Sequence, residues 1–467
     1  MSQTFVRLML LISMIGAGAL SACAEDPATD ADAGIGGDGD ADGDSDADSD
    51  GDSDADSDAD ADENPGLFTV NVQLASDVDA NAPGTIGIVT WSVSSGTVTE
   101  AYIDFGLDTG YGMTASVDLS EANYRTLLLG MKPSRTYHFQ VVAVVDGTAV
   151  SSGDYTVDTG PGTNLATLSS FDVLDDSAIE RGFIITEYFQ SSVGGGGGGG
   201  SIVFIIDADG DIVWWYQSSM SSLARARMSA DGKYMWMVIS GLSGASLERV
   251  TMDTLDAQSF NVSASHDITA VSGSTMAFLE YGESDCNSIF EIGADGTTRE
   301  VFESSDYLSG QCHGNAVRYS ANEDVYTYSD HQNDIFVVNR DGSVAWKLTD
   351  LVGSNSTWGG AQHGHQLLDD SILIFANNGG SGGAAAIEYS LSNGSEMMRY
   401  APGISTSNLG DVQRLPGGNT LVTFSTSAKI HEIDASGNPV LTIETGSTVG
   451  YSMWRPSLYG APPDIAL

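Results

Sequence analysis

A strand, a tight turn and a second strand recur through the last three hundred residues, at intervals of about 43–52 residues. The copies read Val203-Phe-Ile-Ile-Asp-Ala-Asp-Gly210-Asp-Ile-Val-Trp-Trp215, Ile289-Phe-Glu-Ile-Gly-Ala-Asp-Gly296, Ile335-Phe-Val-Val-Asn-Arg-Asp-Gly342-Ser-Val-Ala-Trp346, Ile387-Glu-Tyr-Ser-Leu-Ser-Asn-Gly394 and Ile430-His-Glu-Ile-Asp-Ala-Ser-Gly437. A degenerate sixth copy is expected at Leu247-Glu-Arg-Val-Thr-Met-Asp253-Thr-Leu. Asp-Gly and Asn-Gly supply the positive φ that hairpin turns demand. No such unit can bury its apolar face alone, so the units must stack. A β-helix needs a shorter period, and an α-solenoid needs a helical periodicity that is absent. The expectation is an all-β chain with a six-bladed β-propeller over 165–467. Gly194–Gly200, seven glycines in a row, reads as a hairpin loop of the first blade. No Lys-Ser/Thr follows it, so it is no phosphate loop.

A separate β unit is expected at 64–160. Phe68-Thr-Val70-Asn-Val72, Ile86-Gly-Ile88-Val-Thr-Trp91 and Ala101-Tyr-Ile103-Asp-Phe105 alternate and are split by turn residues, the pattern of a sandwich. Leu129-Gly-Met131-Lys-Pro133-Ser-Arg-Thr-Tyr137-His-Phe139 resembles the tyrosine corner of the fibronectin type III family, with Trp91 as the core tryptophan. A fibronectin III-like β-sandwich acting as spacer or dimer-forming module follows from that resemblance. His138 alternates outward and reads as a surface residue.

The N-terminus carries Arg7 and then an apolar run, Leu8 to Ala19, too short and too rich in Gly and Ala for a membrane span. Leu20-Ser21-Ala22-Cys23 resembles a bacterial lipobox, which implies a signal peptide over 1–22 and acylation of Cys23. Export with a lipid anchor at the cell envelope follows. Ala24-Glu25 behind the cysteine favours the outer membrane or the cell surface. Residues 24–63 hold 18 acidic residues and no Lys or Arg. Together with Cys23 they are expected to form a disordered Asp-rich linker, since such a tract repels itself and buries nothing. Weak calcium binding at Asp46-Ala-Asp48-Ser-Asp50-Gly51-Asp52 is the lesser alternative, because no twelfth-position Glu or flanking helix is present. The whole chain has 64 Asp and Glu against 17 Lys and Arg, a net charge of −47. A nucleic-acid partner is therefore excluded, since a polyanion needs a basic face.

Histidine placement points to chemistry. Of seven histidines, five fall in one region. His266 lies in Ser265-His-Asp267, His313 in Cys312-His-Gly-Asn315, His331 in Ser329-Asp330-His-Gln332, and His363 and His365 in Gln362-His-Gly-His-Gln366. His266, His313 and His363 each precede a strand that enters a blade, where inner strands converge on an axial channel. Lone histidines beside strands usually satisfy core hydrogen bonds; three at matching positions weigh against that. His431 alternates inside a strand and reads as structural.

At these residues the chain resembles the bacterial arylsulfotransferase family, six-bladed propellers that move a sulfuryl group between phenols. Ser265-His266-Asp267, His313-Gly-Asn315, Gln362-His363 with Phe375-Ala-Asn377-Asn378-Gly379, Leu415-Pro-Gly-Gly-Asn419-Thr420 and Trp454-Arg455-Pro456 meet its motifs in order over about 200–467. The resemblance implies that His363 accepts the sulfuryl group as a sulfohistidine, with His266 and His313 as its catalytic partners and no free cofactor. Small aryl sulfates and phenols are the implied partners. Asn315, His331, Asp330, His365 and Arg455 are weaker substrate-binding candidates. Asn377 is read as satisfying a turn.

One departure stands out. The family's sulfuryl-clamping Arg is replaced by Asp330 in Ser329-Asp330-His331-Gln332, which inverts the local charge. His331 as a protonated donor, or Arg455, is the expected compensation. Two alternatives follow: a ligand-binding or adhesion propeller without catalysis, and a metal-dependent enzyme that uses the histidines with Asp267 and Asp330. In the latter, His363-Gly-His365 would put both rings on one side. Cys286 and Cys312 admit a disulfide or two buried thiols. Trp214, Trp215 and Trp346 read as blade-packing residues.

Overall fold

The computed structural model describes residues 61–189, 201–220, 222–239, 245–282, 286–308, 312–331, 333–380 and 382–460. The signal segment, Cys23, the acidic tract to residue 60 and the glycine run at 194–200 lie outside the described residues. From Asp60 onward the chain makes one compact unit.

Alternating strands build its first part. Phe68–Leu74, Gly87–Val93 and Thr126–Leu128 form one sheet, while Val98–Gly106, Gly112–Ser116, Thr136–Val145, Thr148–Ser151 and Tyr155–Asp158 lie in a second. Their inward residues Trp91, Ile103, Phe105, Tyr137, Phe139 and Val141 share one core. The Tyr137 hydroxyl accepts a hydrogen bond from the Lys132 amide at 2.9 Å. His138 meets Asp154 at 2.8 Å. The expected linker boundary needs correction at its end. Asp62 and Glu63 pair in parallel with Val150 and Ser151, because the strand Thr148–Ser151 offers an edge whose backbone groups take partners.

The rest is propeller-like. Four sheets are consecutive antiparallel meanders of four strands, entered by Leu223–Met228, Ala264–Ser272, Gly314–Ser320 and Gln362–Leu367. Two further sheets are completed by distant strands. Phe183–Glu187 pairs with the C-terminal strand Met453–Arg455, and Leu168–Val173 caps the outer edge of the sheet that begins at Asp411–Arg414. The entering strands touch in chain order. Two hydrogen bonds between Gln413 and the Trp454 backbone, at 3.0 and 2.7 Å, bring the last sheet against the strand that completes the first.

The repeat glycines sit at the turns. Gly210, Gly296, Gly342, Gly394 and Gly437 all have φ between 68° and 88°. At Gly342 a Cβ would also run into the Val301 carbonyl. In the degenerate copy Thr254 takes the same left-handed state, at φ 64°.

The sandwich is no free spacer. Ala75, Ile86, Ile88 and Leu129 share a hydrophobic core with Ile205, Val213, Trp214 and Met237. Lys132 reaches the carboxylates of Asp207, Asp209 and Asp211 at 2.8, 2.8 and 2.7 Å. The Tyr459 hydroxyl donates to the Leu127 carbonyl and accepts from the Leu129 amide. Apolar residues that read as one face of an isolated sandwich are instead half of a shared interface.

Candidate functional site

Three entering strands share one irregularity. The pairing register slips between Ser265 and Ile268, between Gly314 and Ala316, and between Gln362 and His365. A bulge releases a residue from the ladder and re-aims its side chain. His266 and His363 lie within these bulges and His313 directly precedes one. His266 has a φ of 38°, a conformation costly for a residue with a side chain.

The rings gather. His266 Nε2 and His313 Nε2 stand 3.2 Å apart, with ring centroids at 4.6 Å. His331 lies 6.0 Å from His313 and 5.8 Å from His363, centroid to centroid. Ser265 Oγ meets His266 Nδ1 at 2.6 Å. His363 Nδ1 meets Asn377 Oδ1 at 2.6 Å. His363 is buried, whereas His313 faces outward.

Desolvation governs their charge. Burial lowers His266 to about 3, helped by His313 and His363. Burial lowers His363 to about 3 against an opposing pull from Asn377. Burial also lowers His331, although Asp330 pulls the other way. These three rings are neutral at pH 7.

Asp267, next to His266 in the chain, belongs to a closed ring of charges. Arg225 donates to Asp267 through Nε and to Asp411 through Nη2, both at 2.7 Å. Arg318 also donates to Asp267, and reaches Asp411 at 2.6 Å. All four are buried. Burial would raise Asp267, but Arg225 and Arg318 outweigh it and hold the carboxyl at about 2. The Arg225 guanidinium lies 4.3 Å from the Tyr451 ring centre, and the Tyr451 hydroxyl donates to the Asn315 carbonyl at 2.7 Å.

Four expectations change. Asp330 does not present its carboxylate to a substrate. It accepts from the His313 amide at 2.8 Å, from the Tyr328 hydroxyl at 3.3 Å and from the Asn333 side chain. A buried carboxylate must collect donors, and the loop supplies them. Arg455 offers no compensation, because its guanidinium donates to the carbonyls of Ser457 and Gly460. His365 faces away from the cluster, with Nε2 on Thr327 Oγ1 at 2.7 Å. The rings of His363 and His365 therefore have separate partners and form no chelating pair, because the bulge breaks the strand alternation that would have aligned them. Among the described residues, no group of three or more His, Cys, Asp or Glu is disposed to hold a metal ion.

Cys286 and Cys312 form a disulfide with Cα atoms 4.8 Å apart, directly before His313. Sequence reasoning passed over Arg225, Arg318 and Asp411, and it read Asn377 as satisfying a turn, whereas its side chain meets His363. A signal for the arginines was present: Leu223-Ala-Arg-Ala-Arg-Met228 and Ala316-Val-Arg-Tyr319 put cations inside apolar strands, where a charge needs a partner.

Residues 291–446 match the arylsulfotransferase (ASST) family model. No curated protein matches the chain. Among solved structures the chain is similar to TolB from Acinetobacter baumannii, at 12% identity and a TM-score of 0.45, over 71% of this chain and 81% of that one. It is also similar to virginiamycin B lyase from Staphylococcus aureus, at 15% identity and a TM-score of 0.38, over 57% and 88%. A protein of unknown function from Bacteroides caccae has 13% identity and a TM-score of 0.42, over 58% and 98%.

Proposed function

We propose that the chain is an exported sulfotransferase that moves a sulfuryl group from an aryl sulfate to a phenol, on a six-bladed β-propeller over 165–467. The sandwich over 64–160 is fibronectin III-like in this reading. Cys23 carries the lipid anchor at the outer membrane or cell surface, and the acidic tract spaces the folded part from it. The observation that carries the activity is the gathering of His313 with the neutral rings of His266, His331 and His363 in one cluster, together with the family match over 291–446.

The reaction runs in two displacements. The free ring nitrogen of His363 attacks sulfur, the bond from sulfur to the aryl oxygen breaks, and phenoxide leaves with the electron pair. Phenoxide is a good leaving group, so little acid help is needed. The sulfuryl group now sits on His363 and the ring carries positive charge, which the hydrogen bond to Asn377 stabilises. The acceptor phenol then attacks sulfur, its proton passes through the His266–His313 pair to solvent, where the released phenoxide takes one up, and the bond from nitrogen to sulfur breaks with its electrons returning to His363.

Incubation with a chromogenic aryl sulfate and a phenol should give transfer. His363→Ala should abolish it, and a sulfuryl adduct should be found on the peptide that holds His363. A folded sample, supplied with acceptor, that shows neither transfer nor adduct overturns the proposal. A second reading, a binding propeller without turnover, draws on the missing Arg at Asp330. It predicts that aryl sulfates bind and are never cleaved.

A further inference from the structure

We infer that Asn377 and Asn315 assign opposite roles to His363 and His331 by fixing which ring nitrogen of each carries the proton. His363 is left with a bare Nε2 for attack, and His331 with an Nε2–H to hold a sulfuryl oxygen. The roles rest on the sulfuryl-transfer reading; the proton positions do not.

The amide of Asn377 has one workable orientation. Its Nδ2 donates to the carbonyls of Thr406 at 3.1 Å and Leu409 at 2.9 Å. Turned over, Oδ1 would face two other oxygens and the buried amide nitrogen would lose both acceptors. Leu409 delivers its carbonyl from a φ of 57°, a strained state for leucine. With the amide fixed, Oδ1 is the atom 2.6 Å from His363 Nδ1. An acceptor at that distance requires a hydrogen on Nδ1. A neutral imidazole carries only one, so Nε2 keeps its lone pair.

Asn315 applies the same logic with the opposite result. Its Nδ2 donates to the Gln362 carbonyl at 2.6 Å, which fixes the amide. The same nitrogen lies 3.1 Å from His331 Nδ1. A donor facing Nδ1 requires a lone pair there, so the His331 proton is on Nε2. Asn315 is fully buried and Asn377 nearly so. Each takes its bearing from backbone on the side of the following sheet: Gln362 opens the next entering strand, and Thr406 and Leu409 lead into the one after. The low proton affinity of both rings keeps them single-proton at pH 7. A neutral N–H on His331 is thus the group left to serve where the family's Arg is missing.

The test is long-range ¹H–¹⁵N correlation on the full chain labelled with ¹⁵N-histidine, at pH 7. His363→Gln and His331→Gln would assign the signals by their loss. The expected result is the Nδ1–H tautomer at His363 and the Nε2–H tautomer at His331. An Nε2–H form or an imidazolium at His363, or an Nδ1–H form at His331, overturns the proposal. Asn377→Leu should convert His363 to a mixture of tautomers and lower kcat about 10–100-fold, whereas Asn315→Leu should act mainly through KM. Unchanged tautomers in both variants would also overturn it. Correct tautomers in a protein that transfers no sulfuryl group would leave the wiring standing and defeat the transferase reading instead.

Discussion

A histidine is useful as a nucleophile only while neutral, and here water exclusion provides that state. His266 and His363 are lowered from the ordinary 6.5 to about 3, with burial as the largest cause. Transfer should therefore hold level from about pH 5 upward rather than falling below pH 6.5, as an exposed histidine would require. Stability should behave differently. In the unfolded chain these rings take up protons below 6.5, while in the folded protein they resist down to about 3. The stabilising contribution is complete above 6.5 and is lost progressively as pH falls from 6.5 toward 3. A urea midpoint measured from pH 8 to pH 4 should fall across that window, and the fall should be smaller in His363→Gln. A midpoint indifferent to pH would show that the rings are hydrated. None of these shifts could be read from the chain itself, since they depend on what covers each ring.

The elements that carry the rings are strands made irregular at one place. That histidines stood at the starts of three entering strands was legible in Ser265-His266-Asp267, His313-Gly-Asn315 and Gln362-His363, although only His313 precedes its strand and His266 and His363 lie inside theirs. The bulges were not, because a pairing slip is decided by the neighbouring strand. The same gap explains Asp330. Sequence showed a carboxylate where a cation was wanted, but not that the His313 amide would claim it. Asp330→Arg should accordingly lower transfer about 10–100-fold by freeing the loop that holds His313, and a gain of activity would show that the site wants a cation there. The disulfide holds the other side of this loop. Reduction, or Cys286→Ser with Cys312→Ser, should cost about 2–4 kcal/mol of stability and depress transfer while the far-ultraviolet dichroism of the strands persists. Full activity with both cysteines replaced would show that the disulfide is not needed to position His313.

At the scale of the molecule, repetition was the legible part, and long-range strand pairing was not. Asp-Gly and Asn-Gly at nearly even spacing reveal units, but Met453–Arg455 joining Phe183–Glu187 is a pairing across the whole fold. Nor could alternation in the sandwich tell a solvent face from one that docks on Ile205 and Trp214. The ring of Arg225, Asp267, Arg318 and Asp411 belongs to the same scale, since its members come from four different sheets. It joins those sheets with two positive and two negative charges, each arginine touching both carboxylates. Buried ion pairs add little over well-packed apolar groups, yet losing one member strands the others. Arg225→Met should therefore destabilise the protein by about 3–5 kcal/mol, read as a shift in the urea midpoint. Replacing all four members with neutral residues of similar size should cost less than the sum of the four single changes, because each later change removes a charge already left alone. Additive costs would mean that the four act independently. Because Asp267 adjoins His266 in sequence, Arg225→Met should also lower transfer at temperatures where the fold persists, and that loss separates a ring that sets the height of the cluster from one that only ties sheets together.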